Sequence, residues 1–133
     1  MSTADNKALF RQFYVRAWIK GDASVADDLL AADFVNHALP ATTHGSHREL
    51  YRQAIADNTS AFPDYTLTIE DLIAEGATVV ARWRSACMDA STSTRITNEG
   101  ITIVRSVDGR IAEFWKHDDA LGVLRQLGKV PHS

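Results

Sequence analysis

Residues 113–119 bring aromatic and titratable side chains together in one short segment, Glu-Phe-Trp-Lys-His-Asp-Asp. The segment is typical of a strand that ends in functional groups, and residues 120–128 are spaced as a short amphipathic helix. A junction of this kind can aim a carboxylate into a pocket, where it acts as a general acid or base. The segment therefore favours an enzyme.

Length and charge limit the function classes to consider. The chain has 133 residues, 45% of them hydrophobic, which predicts one domain over residues 1–133 with a core of its own. Against 17 Asp and Glu stand 14 Lys and Arg, for a formal charge of -3. Because the sequence has no basic stripe, nucleic acid is not an expected partner, and a small hydrophobic substrate fits better.

Targeting and cofactor signals are missing from the sequence. No apolar run reaches the length that spans a bilayer, so we expect a cytoplasmic protein without a membrane partner. His37, His44 and His47 lack the helical pairing of a zinc site, and no phosphate loop or redox cysteine pair is present. No metal or cofactor is expected, and the lone Cys87 is predicted to be an inert buried side chain.

Three helices are predicted in the first half of the chain. Apolar residues between positions 9 and 18 recur at helical spacing, and Gly21 is a natural stop. Ser24 and Ser46, each followed three residues later by an acidic residue, predict the starts of a second helix through Leu30 and of a third helix. All three are expected to precede the sheet.

Alternating apolar and polar residues after the Phe-Pro-Asp break at 62–64 predict the strands of a sheet. They cover residues 65–70, 78–89, 96–107 and 110–116. Helices followed by antiparallel strands and a last helix are an α+β order. We expect a strongly curved antiparallel sheet wrapped around the N-terminal helices, a cone-shaped α+β barrel, with a short C-terminal helix. Such a cone has an apolar interior suited to a small ligand.

The two-residue turn 108–109, Asp-Gly, predicts the register of the last hairpin by placing Val107 opposite Arg110. Counting outward puts Thr102 opposite Trp115. Both faces of this hairpin are largely apolar, so one is expected to line a pocket and the other to pack against a second subunit, which predicts a homodimer.

The face that carries Thr102 and Trp115 is favoured as the pocket, because polar groups lie among aromatic residues there. The opposite assignment stays open. The side chains expected on the favoured face are Thr102, Glu113, Trp115 and His117. On the first helix, Tyr14 and Trp18 lie four residues apart and could form an aromatic wall with Phe10 and Trp83. Core packing is the plainer interpretation of these four aromatics.

Four segments carry a family resemblance: Phe34-Val35-Asn36-His37, Phe62-Pro63-Asp64-Tyr65, residues 103–111, and Asp119 together with Gln126-Leu127-Gly128. On these segments the chain resembles the SnoaL-like polyketide cyclases. Their cone-shaped barrel belongs to the superfamily of nuclear transport factor two and ketosteroid isomerase. Because one scaffold hosts many chemistries, activity must be argued from the pocket.

The resemblance implies site residues. In the cyclases one aspartate deprotonates an acidic carbon and then protonates the carbonyl that the enolate attacks, and Asp119 falls at that position, with His117 as a tuning group. The alternative for Asp119 is the N-cap of the last helix, a role for which Asp118 competes. Thr102 stands where the cyclases often carry a pocket histidine, so His117 would have to substitute for it.

The resemblance also implies substrate contacts by residues of the first third of the chain. Asn36 falls where relatives place a polar, ligand-contacting residue, and its neighbour His37 is a second candidate. Tyr14 falls where some relatives influence the stereochemistry of ring closure. Local hydrogen bonding at a strand end is the alternative for Asn36.

Three functions therefore stand as hypotheses. The first is a cofactor-independent cyclase or isomerase that acts on a polyketide-like or other hydrophobic carbonyl substrate, with Asp119 as general acid and base. The second is an epoxide hydrolase, hydratase, dehydratase or hydroxylase-like enzyme that pairs Asp119 with His117 or Arg105. The third is a non-catalytic, ligand-binding dimer, which is expected if Asp119 only caps a helix and faces solvent.

Overall fold

The computed structural model describes residues 1–130 and contains four α-helices and five strands. In chain order they are α1 (Thr3–Tyr14), α2 (Val25–Leu29), β1 (Leu30–Asn36), α3 (His47–Ala61), β2 (Thr66–Glu75), β3 (Thr78–Met88), β4 (Arg95–Val107), β5 (Arg110–Asp118) and α4 (Ala120–Gln126). None of the helices in this described part is long and apolar enough to cross a membrane.

The strands form one sheet in the order β1-β5-β4-β3-β2. Strands β2 to β5 are antiparallel neighbours, whereas β1 pairs with β5 in parallel. The predicted α+β class, with N-terminal helices on a curved sheet and a short last helix, is confirmed. The expectation that three helices precede the sheet was wrong, because β1 lies between α2 and α3.

The first helix ends in a π-helical turn. Ser2 and Asp5 form a capping box at its start, each side chain bonding the other's backbone N–H. After Tyr14 the chain widens into a π-helical turn at Val15–Ile19, and Gly21 then takes φ 63°. The predicted stop at Gly21 is confirmed, and the π-helical turn carries Trp18 over the sheet.

The core fills the concave face of the sheet. Large side chains from α1, β1, α3 and the sheet are excluded from solvent there: Phe10, Phe13, Leu30, Ile55, Val79, Val104 and Ile111. A row of aromatic contacts joins Phe13, Tyr51 and Phe114 at ring-centroid separations of 5.4 Å. Apolar burial of this kind fixes the helices against one side of the sheet and leaves the other side uncovered.

A β-bulge changes the register of the last hairpin. Val107 pairs with Arg110 as predicted, but the register then shifts, so that Arg105 pairs with Glu113 and Ala112 is the extra residue. The predicted pair of Thr102 with Trp115 was therefore wrong. A slip of one residue sends every following side chain to the opposite face of the strand.

The slip decides which residues of β5 face the concave side. Phe114, Lys116 and Asp118 point into the concave face. Glu113, Trp115 and His117 point away from it. The predicted pocket face was thus correct for Thr102 on β4 and wrong for these three residues of β5.

Candidate active site

A cavity of about 540 Å³ opens between the concave face of the sheet and the helices, within the usual size range of small-molecule sites. Its aromatic walls come from Tyr14, Trp18, Tyr51, Phe62, Tyr65, Trp83 and Phe114. Its polar groups lie mainly on the strands: Asn36, Asn58, Ser85, Asn98, Lys116 and Asp118. Among the described residues that line it, Asp118 is the one carboxylate and Lys116 the one cation.

Asp118 is a half-buried carboxylate at the end of β5. Asn98 on β4 donates from Nδ2 to Oδ2 of Asp118 at 2.9 Å. The Oδ1 atom of Asn98 accepts from the backbone N–H of Glu99 at 2.9 Å, which fixes the orientation of the amide. One oxygen of Asp118 is therefore held in place, while no side chain of the described residues donates to Oδ1.

Gly100 makes room for an aromatic ring beside this carboxylate. It pairs with Asp118 across the hairpin and with Trp83 on its other side. A Cβ atom at Gly100 would lie 2.6 Å from Cζ2 of Trp83, so glycine is required by space here. Trp83 also donates from Nε1 to the hydroxyl of Thr102 at 2.9 Å. The indole thus packs over the β4 backbone and gives Asp118 an apolar neighbour.

The three tyrosines of the chain are neutral hydrogen-bonding groups in this cavity. Burial raises the pKa of Tyr14 and of Tyr51 far above the ordinary value. Burial also raises the pKa of Tyr65, a hydrogen bond with Ser85 opposes that effect, and the negative charge of Asp118 adds to it. Tyr65 therefore keeps its proton near neutral pH and can donate a hydrogen bond to a ligand oxygen.

Four of the predicted contact residues come together in the cavity wall: Tyr14, Trp18, Asn36 and Trp83. The Tyr14 hydroxyl bonds the Thr102 hydroxyl at 2.5 Å, and Trp18 donates from Nε1 to the Tyr51 hydroxyl at 3.0 Å. Thr102 is fully buried behind these aromatics and acts there as an internal hydrogen-bond partner. Both interpretations of the aromatics hold, since they pack the core and line the cavity.

Asn36 and Cys87 also reach the cavity wall. The Oδ1 atom of Asn36 accepts from the backbone N–H of Ala38 at 2.9 Å, which is the local bonding considered as its alternative. Its Nδ2 atom is free of side-chain and backbone acceptors in the described chain and can meet a ligand. Cys87 is buried as predicted, and burial raises the pKa of its thiol.

Asp119 does not line this cavity. It is exposed and is the N-cap of α4, accepting from the backbone N–H of Gly122 at 3.0 Å. The expectation that Asp119 faces the pocket while Asp118 caps the helix was wrong, because strand alternation turns Asp118 inward and the next residue outward. An exposed, capping Asp119 is what the third hypothesis, a non-catalytic protein, expected. The cavity nevertheless contains a carboxylate, which belongs to Asp118 instead of Asp119.

The remaining predicted residues meet on the convex face of the sheet. Nε2 of His37 lies 2.8 Å from Oε2 of Glu113, and its ring stacks on Trp115 at 4.7 Å and 8°. Hydrogen bonds from His37 and then from Arg105 lower the pKa of Glu113. His117 is exposed on the same face. None of these residues lines the cavity, so their predicted placement in the pocket was wrong.

Sequence reasoning missed the polar groups that do line the cavity. Lys116 and Asn98 were not considered as site residues, and Asp118 was assigned to capping. Ser85 was treated only as a strand residue, and Tyr65 only as part of a strand and of a family segment. The alternation along β4 and β5 would have pointed to Asn98, Lys116 and Asp118 had the bulge been recognised. In the described residues, no cluster of three or more His, Cys, Asp or Glu side chains could hold a metal ion.

Comparison with known families identifies the family of this chain. The sequence model of the SnoaL-like polyketide cyclases matches residues 8–127. The chain belongs to the SnoaL-like polyketide cyclase family. None of the curated proteins compared with this SnoaL-like chain matches it in sequence.

Solved structures share the fold over almost the whole chain. TsrD from Streptomyces laurentii is 28% identical, with 98% of this chain and 99% of TsrD covered and a TM-score of 0.85. AclR from Streptomyces galilaeus, described as a candidate hydroxylase, is 26% identical, with coverages of 98% and 89% and a TM-score of 0.82. A candidate polyketide cyclase from Acidithiobacillus ferrooxidans is 25% identical, with coverages of 98% and 100% and a TM-score of 0.80.

Proposed function

We propose that this SnoaL-like protein is a cofactor-independent cyclase or isomerase that acts by general acid–base catalysis on a hydrophobic, polyketide-like carbonyl compound. One observation carries the proposal. Asp118 stands in an aromatic cavity with one carboxylate oxygen held by Asn98 and the other free to take a proton. Family membership supports the same reaction class.

The proposed reaction is an intramolecular aldol-type ring closure. The free oxygen of Asp118 removes a proton from an acidic carbon, and the electron pair moves onto the neighbouring carbonyl oxygen of the substrate. The enolate carbon then bonds to a second carbonyl carbon, and Asp118 returns its proton to the oxygen formed there. Atoms and charge balance without an oxidant or a second substrate, which agrees with a site built from one carboxylate.

Hydroxyl groups near Asp118 support the developing charge in this proposal. Tyr65 and Ser85 both line the cavity, and burial raises the pKa of Tyr65 further above neutrality. A neutral phenol can donate to a carbonyl oxygen that becomes an enolate oxygen, and such a donor contributes most where water is excluded. The imidazole that relatives often place at the position of Thr102 is not needed for this step.

The proposal is tested by comparing two adjacent aspartates. With 2-tetralone as a probe, exchange of the acidic ring protons for solvent deuterium is followed by NMR. We expect Asp118→Asn to lower the protein-dependent exchange rate at least about a hundredfold, in the range that general-base catalysis contributes. Asp119→Asn keeps a capping oxygen and lies outside the cavity, so it serves as the matched control and is expected to exchange at the wild-type rate.

Circular dichroism of both variants checks that the fold is retained. Exchange that is lost in Asp119→Asn and kept in Asp118→Asn would contradict the proposal. A wild type that does not raise the exchange rate above that of 2-tetralone in buffer would favour the third hypothesis, a ligand-binding protein without catalysis. Catalysed exchange at the wild-type rate in Asp118→Asn would exclude Asp118 as the base. The second hypothesis is less well supported, since its acid and base partners, His117 and Arg105, lie on the convex face.

A further inference from the structure

Lys116 is a cavity residue that the proposed proton transfer does not use. It lies two residues before Asp118 on β5, pairs with Thr102 across the hairpin and is half-buried. It lines the same cavity as Asp118. Side chains two residues apart on one face of a strand stand about 7 Å from each other, so both can touch one small molecule.

No side chain of the described residues neutralises this lysine. None of the ion pairs within 4.0 Å includes Lys116. Its cross-strand neighbour Thr102 is already bonded to Tyr14 and to Trp83, and Asp118 is held by Asn98. Lys116 therefore lines an aromatic cavity without an ion-pair partner among the described residues.

Closing an apolar cavity around a ligand takes hydration from an ammonium group in its wall, which is unfavourable unless another group replaces that hydration. A bound anion would replace that hydration with a charge-assisted hydrogen bond. The net charge of the chain is -3, so the attraction for an anion is local to this residue and is not a property of the whole surface. Phe114, two residues before Lys116 on the same face of β5, supplies an apolar surface in the same cavity.

We infer that Lys116 binds an anionic oxygen of the substrate, so that the cavity selects planar hydrophobic molecules that carry a carboxylate or an enolate oxygen. The inference rests on the proposed function, since it places this oxygen within reach of the carbon that Asp118 deprotonates. An enolate oxygen formed by that step would lie beside a fixed positive charge. A carboxylate already present on the substrate would be held by the same atom.

The carboxylate arm of the test measures binding without catalysis. Isothermal titration calorimetry compares 2-naphthoate with its neutral analogue 2-naphthamide. We expect wild type to prefer 2-naphthoate. Lys116→Met keeps the length of the side chain but removes its charge. This variant should bind 2-naphthoate at least about tenfold more weakly, while its affinity for 2-naphthamide stays within about twofold of wild type. Lys116→Arg should keep the preference, and Lys20→Met, at an exposed lysine outside the cavity, should match wild type.

The enolate arm uses 2-acetyl-1-tetralone, whose enolate has its own ultraviolet absorption. Wild type should bind the enolate form at a lower pH than Lys116→Met does. A response in the first arm alone identifies a carboxylate, a response in the second alone identifies an enolate, and a response in both shows that the site takes either. If Lys116→Met behaves as wild type in both arms, the inference is overturned.

The outcome is separable from that of the proposed function. Asp118→Asn removes the other charge of the cavity and should strengthen 2-naphthoate binding, whatever its effect on proton exchange. A loss of anion preference in Lys116→Met together with unchanged exchange in Asp118→Asn would therefore keep the inference and remove the proposed catalysis. The reverse pattern would do the opposite.

Discussion

Asp118 and Asp119 show how two identical adjacent side chains acquire different roles. Asp118 is the last residue of a strand and points to the concave face, whereas Asp119 begins a helix and bonds the backbone N–H of Gly122. A Cβ atom at Gly122 would overlap the capping carboxylate in its present position. The chemistry of the pair is set by backbone geometry and not by residue type.

Gly100→Ala tests how closely the site depends on a missing methyl group. The added Cβ would displace Trp83, weaken its bond to Thr102 and disturb the surroundings of Asp118. We expect unfolding free energy to fall by about 1–3 kcal/mol, as for overpacking of a well-filled core, and proton exchange of 2-tetralone to fall with it. Urea denaturation measures the first change and NMR of 2-tetralone the second, while the near-ultraviolet circular dichroism of the tryptophans reports the displacement of Trp83.

Trp83→Phe supplies the control for this prediction, since the smaller ring relieves part of the overlap. The double variant Gly100→Ala with Trp83→Phe should lose less stability than the sum of the two single variants. Strict additivity would mean that the glycine is needed for another reason, such as the approach of the His117 carbonyl oxygen to the same position.

At the scale of the elements, the helices and the four antiparallel strands could be predicted from local sequence patterns. The errors in the prediction occur where pairing between strands overrides the local pattern. The bulge at Ala112 could not be inferred, because Ile111 and Ala112 are both apolar and both buried and so do not break the pattern visibly. Strand β1 was not among the strands predicted from alternation, although a strand end was considered at Asn36. Only Leu30 and Phe34 are buried in it, a spacing that suits a helix as well as an edge strand.

The predicted residues of the candidate site divide in the same way, into those placed by local patterns and those placed by the register of the last hairpin. Tyr14, Trp18 and Trp83 were placed correctly because they lie on α1, its π-helical extension and β3, ahead of the bulge. Every predicted site residue of β5 was placed on the wrong face because all follow the bulge. A register error of one residue assigns cavity side chains to the outer face of the strand and outer side chains to the cavity. The family resemblance could therefore predict the fold without identifying Asp118 as the cavity carboxylate.

The last helix is attached to the sheet by one side chain of the family motif. Gln126 accepts from the backbone N–H of Thr97 and donates to its carbonyl oxygen, each at 2.8 Å, as a neighbouring strand would. Gly128, with φ 72°, then allows the chain to turn away. The motif from Asp119 to Gly128 therefore holds α4 against the sheet. Its role is structural, so it predicts the fold better than it predicts the reaction.

Gln126→Ala should detach α4 without unfolding the sheet. Loss of the two bonds to Thr97 removes about 1–3 kcal/mol of local stability. Hydrogen–deuterium exchange should accelerate in residues 120–127 and stay unchanged in β3. Leu121→Ala, at a side chain that is 50% exposed on the same helix, is the matched control and should exchange as wild type does. Equal acceleration in both variants would assign the docking to packing instead.

At the scale of the whole molecule, the sheet leaves an apolar row on its convex face. The row crosses four strands, because the register places Ile73 beside Val80, Val80 beside Ile103, and Ile103 beside Trp115. Ile73 is 62% exposed, and the helices cover only the opposite face. Ion pairs of Arg82 with Asp71 and of Arg105 with Glu113 flank the row. Val80, Ile103 and Trp115 are partly exposed. A solvent-accessible apolar row with a polar rim is typical of a protein interface.

We propose that two copies of the chain pair through this convex face, because a row that is apolar throughout is self-complementary about a two-fold axis. Ile103→Glu and Trp115→Glu would each bury a charge at such an interface and should convert a dimer into a folded monomer, measured by size-exclusion chromatography with light scattering. Leu121→Glu places the same charge at an apolar residue of α4 that is 50% exposed and lies outside the row, and it should stay dimeric. A monomeric wild type, or dimers that survive both sheet substitutions, would contradict the pairing. In the proposed dimer each cavity opens on the concave side, away from the contact, so the monomeric variants are expected to retain proton exchange at Asp118.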